Sequence, residues 1–184
     1  MPITLETQRT ILRQWQPQDF QYFADLNADT EVMRYFPKCL DRSESDALAE
    51  RCHSLIEQQG WGFWALELAQ TSQLMGFLGL HKPDNMPFSP CVEIGWRLGK
   101  AFWGNGYATE ASHEVLKFAF QSLNLKEVVS FTTLENNRSR AVMERLGFTN
   151  THRNFKHPAL PSDHKLSEHV LYILSHHQWL DLNK

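Results

Sequence analysis

Residues 99–111, GKAFWGNGYATEA, combine three glycines with three aromatic rings and pass without a break into a helix-forming run. Gly104 and Gly106 would let the backbone approach a ligand closely. If a strand precedes them and a helix begins near Tyr107, the amides of residues 104–109 point at one spot. The start of such a helix attracts anions, especially a pyrophosphate. The alternative is a tight turn that only joins a strand to a helix.

Two other phosphate-binding patterns fit the chain less well. It contains no GxxxxGK[ST] pattern, so a nucleoside triphosphatase loop is not supported. A dinucleotide-type GxGxxG would need glycine at position 109, where Thr109 stands. The acidic residue that should end a second strand would be Glu135, which comes rather late. A nucleotide-binding oxidoreductase remains an alternative because it shares the glycine turn.

The rest of the chain alternates strand-like and helix-like segments. Apolar and β-branched runs predict strands at 10–15, 62–68, 74–80, 91–98, 128–134 and 169–174. Helical periodicity and end signals predict helices at 19–29, with Pro17 as the first helical position, at 107–123 and at 139–146, and a further helix that carries apolar residues on one face over 47–59. Asp41 or Ser43 could cap the second helix, which Gly60 ends, and Gly147 is a left-handed cap. This order predicts a mixed α/β sheet.

Composition and charge narrow the class of protein. With 184 residues, 42% hydrophobic and 21% charged, the chain is typical of one globular domain over residues 1–184. A net charge of −3 argues against nucleic acid as a partner. Three widely spaced cysteines argue against a disulfide framework and a zinc site. Without a signal-peptide pattern or a long apolar run, we expect a soluble cytoplasmic protein and no membrane partner.

The histidines give weaker signals. Nine histidines include no HExxH spacing, so no metal site is predicted. His157, His164 and His169 could line a substrate pocket, although each could equally be structural. The segment 33–38, MRYFPK, is either a lip that faces the substrate or ordinary core.

Two longer stretches carry a family resemblance. VEIGWRLGKAFWGNGYATEA, followed by FAFQSLNLKEVVSFTTLENNRSRAVMERLGF, resembles the GNAT superfamily of N-acetyltransferases, in particular its RimJ/RimL-like branch that acetylates ribosomal-protein N-termini. The tail FKHPALPSDHKLSEHVLYIL fits the same plan. The resemblance implies a GNAT fold, in which a mixed, mostly antiparallel central sheet is flanked by helices.

The same resemblance implies the reaction and its partners. Acetyl-CoA would be the co-substrate, and its acetyl group would pass directly to a primary amine. The branch favours a peptide or protein N-terminus, with a small-molecule amine such as a polyamine, amino acid or antibiotic close behind. A non-catalytic acyl-CoA-binding protein would share the whole cofactor signature. A homodimer is left open.

The resemblance also assigns the cofactor residues. The family's Q/R-x-x-G-x-G/A loop binds the coenzyme A pyrophosphate through backbone amides and maps here onto residues 101–106. Ala101 departs from the Gln or Arg of that pattern, whereas both glycines match. The predicted cofactor-binding residues are Trp96, Arg97, Leu98, Trp103, Gly104, Asn105, Gly106, Tyr107, Ala108, Thr109, Asn136 and Ser139.

The family's Asn-x-x-Ser pattern maps onto Asn136 and Ser139, which would face the pantetheine arm and the thiol end. Either residue could instead simply cap a helix. Many relatives carry a tyrosine acid four residues after the serine, but this chain has Met143. Ser139, or a bound water, is therefore the predicted proton donor to the leaving sulfur.

Glu93 is the residue that the resemblance favours as the general base, acting through water. A backbone amide near residues 96–98, on the same strand, would hold the acetyl carbonyl oxygen as charge develops. Removal of Glu93 is expected to lower turnover most at low pH, where the amine is mostly charged. The alternative is an exposed or ion-paired strand residue.

Overall fold

The computed structural model describes residues 2–184, which form nine strands and five α-helices. The strands are β1 (Leu5–Glu6), β2 (Thr10–Arg13), β3 (Phe63–Leu68), β4 (Gln73–His81), β5 (Glu93–Leu98), β6 (Glu127–Thr133), β7 (Thr149–Asn150), β8 (Phe155–Lys156) and β9 (Glu168–Ser175). The helices are α1 (Asp19–Ala28), α2 (Arg42–Gln59), α3 (Tyr107–Lys117), α4 (Asn137–Arg145) and α5 (His176–Leu182).

Backbone contacts divide the chain into two compact units. The first runs to Leu80 and includes Gly95–Val115, and the second comprises His81–Ile94 and Leu116–Lys184. In the first unit, β1 pairs with β2, β2 with β3 and β3 with β4, all antiparallel. In the second, β9 pairs antiparallel with β6, β7 and β8, whereas β5 and β6 pair in parallel. The mixed, mostly antiparallel α/β sheet is therefore confirmed, and a single domain over the whole chain stays a prediction.

The predicted ends of α2 are confirmed in detail. Asp41 is the N-cap: its side chain accepts a hydrogen bond from the Glu44 amide at 2.8 Å, and Glu44 accepts one from the Asp41 amide at 3.0 Å. This reciprocal capping box stabilises the first turn, so Ser43 is not the cap. Gly60 ends the helix with a φ of +86°, a left-handed conformation that favours glycine.

Two details of the predicted elements are wrong, and one further helix was not predicted. Pro17 precedes α1, which begins at Asp19, because the Asp19 carboxylate accepts a hydrogen bond from the Gln16 amide at 2.8 Å and fixes a turn there. The segment 107–123 is not one α-helix, since α3 gives way to a π-helical turn at Phe118–Ser122. The polar C-terminus contains α5, which a Ser175 and Gln178 capping box begins.

Burial follows the predicted helix periodicity along α3 and the turn after it. Ala111 and Val115 are fully buried in the first unit, as is Ala119 in the second. The apolar face of this segment is therefore buried. Within residues 2–184, no helix is both long and apolar enough to cross a membrane.

Candidate active site

The glycine stretch lies where the sequence predicted, between the end of β5 at Leu98 and the start of α3 at Tyr107. Contacts of its aromatic residues hold this loop in place. The Trp103 indole donates to the Leu98 carbonyl at 2.8 Å, and the buried Phe102 ring meets the Tyr107 ring edge-on at 6.4 Å. These contacts explain why bulky and small residues alternate: the rings fix the loop, and the glycines shape its exposed surface.

Gly104 and Gly106 both adopt left-handed backbone conformations, with φ of +76° and +79°. A Cβ placed on Gly104 would meet nothing within 4 Å, and one on Gly106 would meet only the Arg9 Nη2 atom at 3.6 Å. Packing within the protein therefore does not explain the absence of side chains. An exposed loop whose two glycines adopt left-handed conformations and have open space around them is suited to close approach by a ligand.

Helix α3 begins directly after this loop. Its first intrahelical hydrogen bond runs from the Glu110 amide to the Gly106 carbonyl at 2.9 Å. The amides of Tyr107, Ala108 and Thr109 therefore precede the hydrogen-bonded turn, where the helix dipole favours negative charge. The loop and helix start together have the features that an anion-binding site at a helix N-terminus requires.

Arg9 and Glu110 form a brace for this loop that sequence reasoning missed. Glu110 accepts hydrogen bonds from the Arg9 Nε at 2.6 Å, the Arg9 amide at 2.9 Å and the Thr7 hydroxyl at 2.7 Å. Arg9 also donates to the Asn105 carbonyl at 3.1 Å and covers the Tyr107 ring at 4.7 Å. The turn between β1 and β2 thus holds both the loop and the first turn of α3. Hydrogen bonds from Thr7 and Arg9 lower the pKa of Glu110, although burial opposes them.

Replacing Arg9 with methionine should weaken this brace. We expect Arg9→Met to raise the KM for acetyl-CoA roughly five- to thirtyfold, with kcat nearly unchanged, because one or two charge-assisted hydrogen bonds are lost. Steady-state kinetics at saturating amine measure the change. Arg42→Met, which breaks an exposed ion pair with Asp46 on α2, is the matched control. A lower melting temperature with an unchanged KM would make Arg9 a structural residue only.

Glu93 begins β5 and is half-buried in the second unit. Its register partner is Val129 on β6, so the two side chains share one face of the sheet. Desolvation raises the pKa of Glu93 to about 8. A carboxyl group with this pKa exchanges protons near neutral pH, which general acid-base catalysis requires.

An aromatic and histidine cluster occupies the same face of the second unit. Phe131 lies two residues beyond Val129, and its ring contacts those of Phe88 at 5.8 Å, Phe155 at 5.5 Å and His169 at 6.2 Å. Next to His169, which is buried, the Thr133 hydroxyl is also buried and has no hydrogen-bond partner in the described chain. This apolar surface offers little solvation to charge on that face.

The predicted histidines form structural contacts. His157 Nδ1 accepts a hydrogen bond from the Ala159 amide at 3.2 Å, and His164 Nδ1 accepts one from the Leu166 amide at 3.1 Å. His169 Nδ1 lies 3.1 Å from the Ser167 carbonyl. Burial lowers the pKa values of His157 and His169, so both are neutral at pH 7. Their contacts shape the segment before β9, and a catalytic role for any of them stays a hypothesis.

The structure distinguishes the two residues of the Asn-x-x-Ser pattern in the second unit. Asn136 caps α4, since its side chain accepts a hydrogen bond from the Ser139 amide at 3.3 Å. Asn136 also donates to the Thr132 hydroxyl at 2.9 Å. The half-buried Ser139 is not the cap, because it contributes its backbone amide, which donates to Asn136. Helix capping therefore does not explain this serine.

Ser139→Ala should separate chemistry from stability. We expect the melting temperature to stay close to that of the native protein, whereas single-turnover acetyl transfer falls at least tenfold if the hydroxyl donates the proton to sulfur. Asn136→Ala is the stability control, and loss of that cap should cost about 1 kcal/mol. A normal transfer rate in Ser139→Ala would exclude the hydroxyl as the acid and leave water.

Met143, which stands where many relatives have tyrosine, is only 1% exposed and belongs to the core. Tyr172 is equally buried and donates its hydroxyl proton to Glu144 at 2.9 Å. Within residues 2–184, no group of three or more histidine, cysteine, aspartate or glutamate residues is arranged to hold a metal ion.

Comparison with known proteins assigns the family. The model of the acetyltransferase (GNAT) domain matches residues 9–149, which include the glycine loop, Glu93 and Ser139. The chain belongs to the GNAT family of acetyltransferases. This GNAT protein therefore uses acetyl-CoA as its co-substrate, and the RimJ/RimL-like resemblance is confirmed.

Two curated relatives are each 36% identical to parts of this chain. One is the FsC-acetyl coenzyme A-N(2)-transacetylase of Aspergillus fumigatus, matched over 93 residues, which are 50% of this chain and 40% of that protein. The other is YdaF of Bacillus subtilis, described provisionally as a ribosomal N-acetyltransferase, matched over 81 residues, 44% of this chain and 43% of that protein. The matches thus span less than half of each relative's length.

A solved structure of similar fold is the ribosomal-protein-S5-alanine acetyltransferase of Vibrio fischeri. It superposes on this GNAT protein with a TM-score of 0.75 at 17% identity, and the match covers 96% of this chain and 98% of that one. At this identity the likeness shows the fold alone.

Proposed function

We propose that this GNAT protein acetylates the N-terminal α-amine of a peptide or protein. The observation that carries the proposal is the half-buried Glu93 carboxyl at the start of β5, whose pKa desolvation raises to about 8, close to that of an α-amino group. At pH 7 an amine with a pKa near 8 is roughly a tenth neutral, whereas lysine near 10.4 is far less so. A base with a pKa near 8 is well matched to an α-amine, whereas it is poorly matched to the lysine side chain.

The proposed roles follow the needs of the reaction. Acetyl-CoA supplies the acetyl group as a thioester. The amine nitrogen forms a bond to the acetyl carbon while the carbon–sulfur bond breaks. Glu93 accepts the amine proton through water, an amide among Trp96, Arg97 and Leu98 stabilises the carbonyl oxygen, and Ser139 returns a proton to the sulfur. The loop from Trp103 to Thr109 holds the pyrophosphate.

The setting is part of the same proposal. Cys39, Cys52 and Cys91 are all unpaired thiols, which supports a reducing, cytoplasmic compartment. Neither a nucleic acid nor a membrane is a proposed partner, because the net charge of −3 offers no basic footprint. A homodimer is an assembly to be tested by size in solution.

A small-molecule amine is the second candidate acceptor. The Aspergillus fumigatus relative supports it, because the name of that protein describes N(2)-transacetylation. A non-catalytic acyl-CoA-binding protein is the third candidate. The RimJ/RimL-like motifs favour a peptide acceptor, as does YdaF, the relative described provisionally as a ribosomal N-acetyltransferase.

A panel of acceptors tests the proposal. Free thiol release from acetyl-CoA is measured with short peptides that have free or blocked N-termini, and with free amino acids and polyamines. We expect kcat/KM to be highest for peptides with free N-termini and absent for the blocked ones. Faster turnover of a polyamine or a free amino acid would favour the small-molecule alternative. Binding without turnover of any amine would favour the acyl-CoA-binding one.

A further inference from the structure

Arg97 lies on β5 in the first unit, and neutral partners hold its guanidinium in one orientation. Its Nη1 donates to the Asn27 side-chain oxygen at 2.7 Å. Asn27 in turn donates to the Ser45 hydroxyl at 2.9 Å, and both of these side chains are completely buried. The chain of hydrogen bonds through α1 and α2 thus positions the guanidinium without supplying a negative charge.

Two aromatic rings flank the same guanidinium. The Phe36 ring centre lies 4.0 Å from the Arg97 Cζ, and that of Phe77 lies 5.2 Å from it. An aromatic ring stacks on the flat face of a guanidinium and leaves the donors in its plane available. Among those donors, Nε is buried and has no hydrogen-bond partner in residues 2–184.

Arg13, another arginine of low exposure in the same unit, differs from Arg97 in its partners. Arg13 donates to the Asp19 carboxylate at 2.8 Å and to the Glu67 carboxylate at 2.5 Å. Both carboxylates raise the pKa of Arg13. Arg97 has an amide in place of these two carboxylates.

The positive charge of Arg97 therefore has neutral groups as its neighbours. Desolvation lowers the pKa of Arg97 to about 10, so the guanidinium remains charged at pH 7. The neighbouring ionisable group is the Cys52 thiol, which is neutral because burial raises its pKa to about 11. A desolvated cation without an anionic partner lowers the stability of the folded protein, and an apolar residue at the same position would be less destabilising.

We propose that the Arg97 side chain binds an anionic oxygen group, a carboxylate, carried by the acceptor. Arginine recognises such groups through parallel N–H donors, and two rings and an amide already hold this guanidinium in place. The inference rests on the proposed function, because it names the chemical class of acceptor for the same reaction.

The position of Arg97 favours the acceptor over coenzyme A as the source of the anion. The backbone of residues 96–98 is proposed to hold the acetyl carbonyl, whereas the pyrophosphate amides come later, at residues 104–109. The ring that covers Arg97 comes from the segment 33–38, whose Phe36 is 36% exposed. The sequence left that segment open as a substrate-facing lip or as core, and its Met33 is buried in the core whereas Phe36 lies at the surface beside Arg97. On this proposal, an incoming substrate reaches Arg97 past Phe36.

Matched acceptors test the inference in the native protein. Two peptides that share a free N-terminus and differ only by Glu or Gln at the second position are compared, together with free alanine and alaninamide. We expect kcat/KM to be at least tenfold higher for the carboxylate member of at least one pair, in line with a charge-assisted hydrogen bond. Equal values within both pairs would overturn the inference while the proposed function stood. No turnover of any amine would overturn the proposed function itself.

Variants then assign the preference to Arg97. Arg97→Gln should remove the preference by raising KM for the carboxylate acceptor alone, and Arg97→Lys should retain part of it. Arg42→Gln, which removes an exposed arginine of α2 that pairs with Asp46 outside this segment, should leave both pairs unchanged. A rise in KM for acetyl-CoA instead would assign the anion to the cofactor and overturn the proposal. If Arg97→Gln fails to fold, the native preference and Arg97→Lys decide.

Discussion

Gly106→Val should abolish acetyl-CoA binding while leaving most of the fold intact. The Gly106 φ of +79° costs a residue with a Cβ about 1–2 kcal/mol, and packing adds little because only the Arg9 Nη2 atom lies near the new Cβ. The valine methyl groups would fill the space above the amides that start α3. At 100 times its Kd, acetyl-CoA should stabilise the native protein by about 2.7 kcal/mol, and this gain should disappear in the variant.

Gly60→Val provides a matched control for backbone strain. Gly60 has a φ of +86° at the end of α2, so valine there meets a similar conformational penalty. We expect both variants to melt earlier than the native protein, and only Gly106→Val to lose the thermal shift with acetyl-CoA. An unchanged shift in Gly106→Val would remove the loop from the cofactor site.

Glu93→Gln should lower turnover by about 10² to 10⁴, the usual contribution of a general base, with little effect on acetyl-CoA affinity. Because burial raises the pKa of Glu93 to about 8, the carboxylate is scarce at pH 6 and predominates above pH 8. The ratio of native to variant rates should therefore grow as the pH rises through 8. This pKa reverses the expectation from sequence that the loss is largest at low pH.

The same pKa has a consequence for stability. In the unfolded chain the Glu93 carboxyl ionises with an ordinary glutamate pKa near 4.5, whereas in the folded protein its raised pKa keeps it protonated up to about pH 8. Stability is therefore lost as the pH rises from about 4.5 to about 8. We expect Glu93→Gln to raise the melting temperature at pH 8 relative to the native protein, and by less at pH 5.

A substitution of an exposed glutamate controls for the loss of a carboxylate. Glu135, after β6, is exposed, and Glu135→Gln should change neither turnover nor the pH profile. If Glu93→Gln stays within a factor of two of native turnover from pH 6 to pH 9, Glu93 is a structural residue.

Local signals in the sequence predicted the elements that depend on local interactions. Asp41 and Gly60 delimit α2 through backbone geometry within a few residues, and the two glycines before Tyr107 mark a turn that must be left-handed. Strands β7 and β8, of two residues each, are too short to show periodicity. Ser175 and Gln178 form a capping box that signals the start of α5, but the polar residues of this segment do not show the apolar periodicity of a helix.

Features of the site that depend on distant residues were not predictable. Glu110 finds Arg9 101 positions away, and no local pattern shows that pairing. The raised pKa of Glu93 comes from desolvation, which the tertiary structure creates. Arg97 and Arg13 look alike in the sequence, and only the fold shows that Arg13 has two carboxylates and Arg97 an amide.

The central claim is that this GNAT protein moves an acetyl group from acetyl-CoA to an α-amine. The most direct measurement incubates the native protein with acetyl-CoA and a peptide with a free N-terminus, and quantifies free thiol and the acetylated peptide by mass spectrometry in the same samples. Equal amounts of both products are expected, with acetylation at the N-terminal nitrogen and none with Gly106→Val. Acetyl-CoA binding without acetylated peptide, or thiol release that does not depend on the amine, would contradict the account.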